Sequence, residues 1–344
     1  MEAPTASIAA IEYYLPETTL TNEMLVQEYP DWTVEKVAAK TGIHERRIAA
    51  PGECSSDLAV KAAEKLFAAG AAKPADIDYL LFCTQSPDYF LPTTACLLQE
   101  RLGLPRSVGA LDFNLGCSGF VYGLSLAKGL IETGQARNVL LLTAETYSKF
   151  IHPADRSVRT IFGDGAAATL ISAVESTACP GPAIGPFVFG TDGQGACNLI
   201  VGTGGMRRPA SERRGDLPAC PASDEPNPDY LFMDGAEIFS FTLAAVPRAV
   251  RELLAASGKQ LSDIDLFVFH QANQHMLEHL RAKLKIPPER FSICLKRCGN
   301  TVSSTIPITL HEAVRDGTLR PGHLVMLVGF GVGYSWAATL VRWR

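Results

Sequence analysis

Three side chains and one glycine turn carry the chemistry this sequence offers. Cys117 lies in Asp112–Phe113–Asn114–Leu115–Gly116–Cys117–Ser118–Gly119–Phe120. A short stretch of strand character leads into it, and a helical pattern through Val121, Leu124 and Leu126 towards Ile131 follows. A cysteine at a helix N-terminus meets the positive end of the macrodipole and free N–H groups, so its pKa is expected below the usual value of about 8.5. Gly116 and Gly119 leave backbone room for a substrate beside the sulfur. The same pattern also suits a small buried cysteine next to a tight turn. His270 ends the apolar run Leu266–Phe269, at the carboxyl end of a strand, where α/β sheets place their ligands. A lone histidine there serves structure as readily as catalysis. Asn300 sits in Arg297–Cys298–Gly299–Asn300–Thr301, just before a helical pattern at Pro307, Leu310, Ala313 and Val314. A Gly-Asn pair is also ordinary turn chemistry. Phe330–Gly331–Val332–Gly333 offers backbone N–H groups to a developing oxyanion.

Metal chemistry is not expected. His275 and His279 stand one helical turn apart without a third ligand nearby, which reads as a solvated helix face, and the close pair Cys294 and Cys298 has no second pair to complete a zinc site.

An internal repeat supplies the elements that must position these groups. Asp76–Ile77–Asp78–Tyr79–Leu80–Leu81–Phe82 is echoed by Asp263–Ile264–Asp265–Leu266–Phe267–Val268–Phe269 at a constant spacing of 187 residues. Each copy follows an amphipathic helix and reads as a buried strand, apolar throughout and so covered on both faces. A second echo closes each half: Gly163–Asp164–Gly165 before Ala167–Ala168–Thr169–Leu170–Ile171, and Gly331–Val332–Gly333 before Ala337–Ala338–Thr339–Leu340–Val341. The expected organisation is two similar α/β halves, 1–172 with Cys117 and 173–344 with His270 and Asn300. The spacing maps Cys117 onto Ser304, close to Asn300, so two facing helix starts would bring cysteine and asparagine into one pocket. Between the repeats, Met206–Pro228 carries Arg207, Arg208, Arg213 and Arg214 and then Pro218, Pro221, Pro226 and Pro228. That proline density rules out a regular helix or central strand and predicts an excursion or lid.

The chain has 344 residues, 47% hydrophobic and 19% charged, a globular composition. Apolar stretches such as Val139–Leu142 and Leu324–Val328 are too short to span a bilayer, and no basic region followed by a hydrophobic run opens the sequence. A cytoplasmic protein is expected, without a membrane partner. The net charge of −5 gives no reason to expect nucleic acid. Nine scattered cysteines do not form a disulfide framework.

Taken together, the segments resemble β-ketoacyl-acyl-carrier-protein synthase III, a condensing enzyme of the thiolase superfamily. The resemblance runs nearly end to end. It rests on Thr41–Gly42–Ile43–His44–Glu45–Arg46–Arg47–Ile48, Gly116–Phe120, Ile161–Phe162–Gly163–Asp164–Gly165–Ala166, His270–Gln271–Ala272–Asn273, Gly299–Asn300–Thr301 and Gly331–Val332–Gly333. It implies a thiolase-like five-layered α/β fold of two duplicated halves, a homodimer, and Cys117, His270 and Asn300 as the catalytic set. Asn300 separates the chain from elongating synthases, which use Cys-His-His, and from thiolases, which use a second cysteine. The implied reaction loads an acyl primer from coenzyme A or a carrier protein onto Cys117, with the N–H groups of Cys117 and Val332 holding the oxyanion. Malonyl-acyl-carrier-protein is then decarboxylated with help from His270 and Asn300, and its enolate attacks the acyl-cysteine to give a 3-oxoacyl product. No cofactor is implied.

The sequence departs from the family at its periphery. Lys36 and Lys40 stand where the family commonly has a tryptophan and an arginine for the adenine end of coenzyme A, and Trp32 lies four residues before Lys36. Arg156 matches a family residue near that ligand. Leu91 takes the place of a bulkier phenylalanine that limits the acyl pocket of the dimer partner. His275 replaces the family's carrier-docking arginine, with Arg281, Lys283 and Lys285 as a basic patch beside it. These departures motivate an alternative, a non-condensing acyltransferase that passes the acyl group from Cys117 to a hydroxyl or amine.

Overall fold

The computed structural model describes residues 4–29, 31–175, 183–212 and 227–344. The strands are β1 (Thr5–Tyr14), β2 (Thr18–Thr21), β3 (Glu45–Ile48), β4 (Tyr79–Cys83), β5 (Gly109–Phe113), β6 (Asn138–Glu145), β7 (Gly165–Val174), β8 (Ile184–Thr191), β9 (Leu199–Val201), β10 (Leu231–Met233), β11 (Leu266–Phe269), β12 (Leu324–Gly331) and β13 (Ser335–Arg342). The helices are α1 (Asn22–Glu28), α2 (Val34–Thr41), α3 (Ser55–Ala68), α4 (Thr94–Arg101), α5 (Gly119–Glu132), α6 (Arg156–Arg159), α7 (Gly235–Ser257), α8 (Gln274–Leu284) and α9 (Thr305–Arg315).

Two mixed sheets repeat one pattern. The first has the order β1-β7-β6-β4-β5, with β7 antiparallel to both its neighbours; the second, β8-β13-β12-β11, repeats it with β13 in the antiparallel place. Among the described residues the second sheet has no full counterpart of β5. Only a parallel bridge from Phe267 to Phe291 marks that place. The runs that read as continuously apolar, Leu80–Cys83 and Leu266–Phe269, are buried at every position. The reason is that helices cover both faces of each sheet. Helices α5 and α9 lie between the sheets and contact both, while α3 and α4 cover the first sheet and α7 packs on the second beside α8. Five layers result. Apolar cores fill the middle layer (Phe120, Leu124, Ile306, Leu310) and the two outer ones (Leu58, Leu66, Leu98; Val250, Leu277, Leu280).

Local sequence explains the helix ends. The Asn273 Oδ1 atom accepts from the Met276 N–H at 2.9 Å and starts α8, Asp234 caps α7 in the same way, and α7 stops where Gly258 turns left-handed at φ 63°.

Two details revise the sequence reading. Strand β7 continues to Val174, two residues beyond the boundary drawn at 172. The helix starts of α5 and α9 are 186 residues apart, one fewer than the strands β4 and β11, so Cys117 falls opposite Ser303 instead of Ser304. Of the proline-rich excursion, Met206–Glu212 and Asn227–Pro228 are described and contain one short 3₁₀ turn, Ala210–Glu212; Arg213, Arg214, Pro218, Pro221 and Pro226 lie outside the described residues.

Candidate active site

Cys117 occupies the turn between β5 and α5, 5% exposed, and lies flat against the end of β12. Two glycines of β12 make that approach feasible. A Cβ on Gly331 would fall 2.8 Å from the Cys117 Sγ, and one on Gly329 would fall 2.7 Å from the Ser118 Cα. The Ser118 and Ser335 hydroxyls, 2.6 Å apart, fasten the turn from the other side. The N–H groups of Cys117 and Val332 both lie towards the sulfur and act to lower its pKa. Burial outweighs them, with the Glu145 charge adding to it, and pushes the thiol up to about 12. The expectation of a depressed pKa is thereby reversed: the free thiol is held protonated, because it has exchanged water for an apolar pocket.

His270 follows β11 directly. Its backbone N–H donates to the Val328 carbonyl at 2.8 Å, and its ring is buried against the edge of Phe330. Nδ1 meets the Thr305 hydroxyl at 2.8 Å, which leaves Nε2 facing the cavity. Burial drives the imidazole pKa down to about 3, so the ring is neutral at any pH near 7.

Asn300 is held by backbone from the other half. Its N–H donates to the Ile161 carbonyl at 2.9 Å, and its carbonyl accepts from the Gly163 N–H at 3.0 Å. The side-chain Oδ1 accepts from the Val302 N–H at 2.9 Å. That bond fixes the amide's orientation and leaves the NH₂ end as the one offered to the cavity. Beneath this loop the fully buried Arg46 donates to the Thr160 carbonyl and to Asn22 Oδ1, which explains why an arginine belongs in the core here.

Cys117, His270 and Asn300 thus share one cavity of about 430 Å³, with Lys40, Ser157 and His275 towards its rim. A second cavity of about 320 Å³ opens on the far side of Val332, between Leu199, Leu231 and Phe150. Its polar end is a chain in which Tyr147 donates to Gln85 Oε1 and Gln85 Nε2 donates to Asn114 Oδ1 at 3.0 Å.

The peripheral residues are arranged differently. Lys36 and Lys40 of α2 place their ammonium groups 5.2 and 5.4 Å from the ring centroid of Trp32, which precedes that helix. Arg156, at the start of α6, lies over Tyr29 and 3.6 Å from Asp31. Leu91 is 82% exposed and stands away from its own chain's cavity, next to exposed Phe90 and Tyr89. Arg281 pairs with Glu278 and donates to the Ile286 carbonyl, and exposed Lys283 donates to the Leu243 carbonyl. His275 stacks on Phe239 and neighbours His279, with ring centroids 4.5 Å apart. Among the described residues no three His, Cys, Asp or Glu side chains group as a metal site.

Sequence reasoning missed Glu145 and Thr305. Glu145 is buried at the end of β6, accepting from the Gln85 N–H and from the hydroxyls of Ser86 and Ser303, at 3.0 to 3.2 Å. Burial raises its pKa to about 8 despite these donors. Three consecutive hydroxyl residues, Ser303–Ser304–Thr305, were the available signal.

A buried thiol, a neutral imidazole and an amide share one cavity in a five-layered α/β fold, the architecture of a thiolase-like acyl-transferring condensing enzyme. Comparison with known proteins gives the family. The family model for 3-oxoacyl-[acyl-carrier-protein] synthase III matches residues 111–193, and the model for its C-terminal part matches residues 254–343. The β-ketoacyl-[acyl-carrier-protein] synthase III of Caldanaerobacter subterraneus subsp. tengcongensis is 38% identical over 341 residues, covering 98% of either chain. A crystal structure of a 3-oxoacyl-(acyl-carrier-protein) synthase III superposes with a TM-score of 0.95 at 56% identity, over 99% of this chain and 100% of that one. A 3-oxoacyl-(acyl-carrier protein) synthase structure from Burkholderia xenovorans LB400 gives 0.89 at 38% identity, over 100% of this chain and 95% of that one. The chain belongs to the β-ketoacyl-[acyl-carrier-protein] synthase III family.

Proposed function

We propose that Cys117, His270 and Asn300 carry out a decarboxylative Claisen condensation of an acyl thioester primer with malonyl-acyl-carrier-protein, giving a 3-oxoacyl-acyl-carrier-protein. The observation that carries this reading is the convergence of the sulfur, His270 Nε2 and the Asn300 amide on one cavity. In the first half-reaction Cys117 forms the new C–S bond as the primer's own thioester bond breaks, and the thiol proton leaves with the departing thiol. The N–H groups of Cys117 and Val332 bind the tetrahedral oxyanion. In the second, His270 and Asn300 donate to the malonyl thioester carbonyl. Carbon dioxide leaves, the enolate carbon attacks the acyl-cysteine and breaks its C–S bond, and the released Cys117 thiolate takes up a proton from solvent to return the thiol. Two neutral donors suit an enolate that forms only in transit, because they stabilise developing charge without tightly binding the carboxylate of the ground state.

The acyl chain of the primer occupies the cavity beyond Val332, and its thioester carrier lies along the opening at Trp32, Lys36, Lys40 and Arg156. The protein works as a homodimer in the cytoplasm. Strand β5 ends the first sheet with a free edge carrying half-exposed Leu111, and the exposed run Tyr89–Phe90–Leu91 lies on the loop before α4. An exposed apolar run beside a free strand edge favours a second copy as its cover. No helix among the described residues is long and apolar enough to cross a membrane.

The test is the intact mass of malonyl carrier protein after incubation with the enzyme and a panel of acyl-coenzyme A primers. The expected product has gained the primer acyl group and lost carbon dioxide. An enzyme acylated on Cys117 with no such product in any mixture would refute condensation. Sedimentation at micromolar concentration tests the dimer, and a monomer would overturn it.

A further inference from the structure

A neutral imidazole carries one N–H, and His270 can help an enolate oxygen only if that hydrogen is on Nε2, the nitrogen facing the cavity. What Nδ1 meets decides the matter. It meets the Thr305 hydroxyl at 2.8 Å, and that hydroxyl lies 3.0 Å from the Val302 carbonyl. The hydroxyl has one proton and two places to send it. Sent to the Val302 carbonyl, it forces Nδ1 to carry the imidazole hydrogen and leaves a bare lone pair on Nε2. Sent to Nδ1, it puts the hydrogen on Nε2.

The surrounding hydrogen bonds allow the second arrangement, with the Val302 carbonyl also within reach of an imidazole N–H. The Val302 carbonyl already accepts the backbone N–H of Thr305, so it is not left unpaired when the hydroxyl turns away. The Val302 N–H is used by Asn300 Oδ1 and does not compete for Nδ1. Thr305 is 3% exposed and His270 1%, so no bulk water substitutes at Nδ1. Asn300 presents its NH₂ to the same space, where a donor on Nε2 makes a matched pair and a lone pair would repel the oxygen that Asn300 binds.

We propose that Thr305 is a positioning residue, its hydroxyl donating to His270 Nδ1 and so fixing the tautomer whose Nε2–H serves the decarboxylation. The proposal rests on the condensation reading but touches one half-reaction only. Priming needs the sulfur and the backbone N–H groups, whereas decarboxylation needs the imidazole N–H.

Thr305→Val keeps the shape and removes the hydroxyl. The imidazole hydrogen then moves to Nδ1, where it reaches the Val302 carbonyl. Condensation and primer-independent decarboxylation of malonyl carrier protein should both fall about 10²-fold, the size typical of losing one oxyanion donor, while acylation of Cys117 followed by mass stays near the wild-type rate. Thr305→Ser should restore decarboxylation. Equal losses in both half-reactions, or none in either, would overturn the assignment. Should Thr305→Val not fold, ¹⁵N chemical shifts of His270 in the wild-type protein decide directly: a hydrogen on Nε2 supports the proposal, and one on Nδ1 refutes it. Wild-type protein that neither takes up primer nor decarboxylates malonyl carrier protein would instead defeat the condensation reading, and the ¹⁵N measurement would still report on Thr305.

Discussion

The floor of the site and its mouth are built to different tolerances. At the floor each reacting group is fixed by a partner distant in sequence: Asn300 by Ile161 and Gly163, Cys117 by the glycines of β12, His270 by Val328 and Thr305. At the mouth Lys36 and Lys40 rest on Trp32 through exposed cation–π contacts, and Arg156 faces an exposed aspartate at 3.6 Å. The floor must hold atoms in place before the transition state forms, where a displacement of 1 Å costs about 10²-fold in rate. On the proposed reading the mouth has only to attract and orient a long carrier, and charge on flexible stems suffices for that. The lysines in place of the family's stacking residues therefore fall where the physics permits change.

Substitutions can sharpen or break this contrast. Cys117→Ala should abolish the acyl-enzyme and lower condensation by at least about 10⁴-fold, because the covalent route is lost entirely; intact mass and product assays read both. Asn300→Ala should cost about 10²–10³-fold in condensation while priming continues, since only the donor to the malonyl carbonyl is removed. If priming falls equally, the two donors are not confined to the second half-reaction. A smaller effect concerns Glu145. Its folded pKa of about 8 lies above the usual carboxylate value of 4.5, so the folded state holds this proton more tightly than the unfolded chain does. The resulting stabilisation is full below pH 4.5 and is lost as pH rises towards 8. Thermal unfolding should show the wild-type midpoint dropping between about pH 4.5 and 8 and levelling off above, and Glu145→Gln should flatten that slope; parallel slopes would show that Glu145 is not the group responsible. Lys40→Ala should have the smallest effect, raising KM for an acyl-coenzyme A by about two- to fivefold at low salt, as befits one exposed cation contact. A loss as large as that of Asn300→Ala would erase the distinction between mouth and floor.

Much of the floor was legible in the sequence. Their places at the ends of strand and helix patterns made Cys117, His270 and Asn300 candidates, the family resemblance joined them into one set, and the repeat of Asp76–Phe82 in Asp263–Phe269 announced two matching sheets. The pKa of Cys117 was misjudged because a helix start is visible locally, whereas burial depends on β12, more than two hundred residues away. Thr305 and Glu145 were invisible for a similar reason. A threonine near a Gly-Asn turn looks like turn chemistry, and only folding brings its hydroxyl to His270. Glu145 looks like the end of a strand until Ser303 arrives from the other half. The bond from Lys283 to the Leu243 carbonyl was likewise unreadable, since a basic residue on a helix face carries no mark of its partner.

The spacing of 186 residues that relates α5 to α9 also relates β6 to β12, so Cys117 corresponds to Ser303 and Gly331 corresponds to Glu145. The molecule contains one corner in two versions. In one the strand ends in glycine and makes room for a sulfur; in the other a carboxylate fills that room and a serine hydroxyl satisfies it. One corner is a workshop, and the other is bricked up. Emptying it has a cost, because removing the carboxylate leaves the Ser303 hydroxyl and the Gln85 N–H without their acceptor. The asymmetry of the enzyme is thus guarded by stability, apart from any selection on its chemistry.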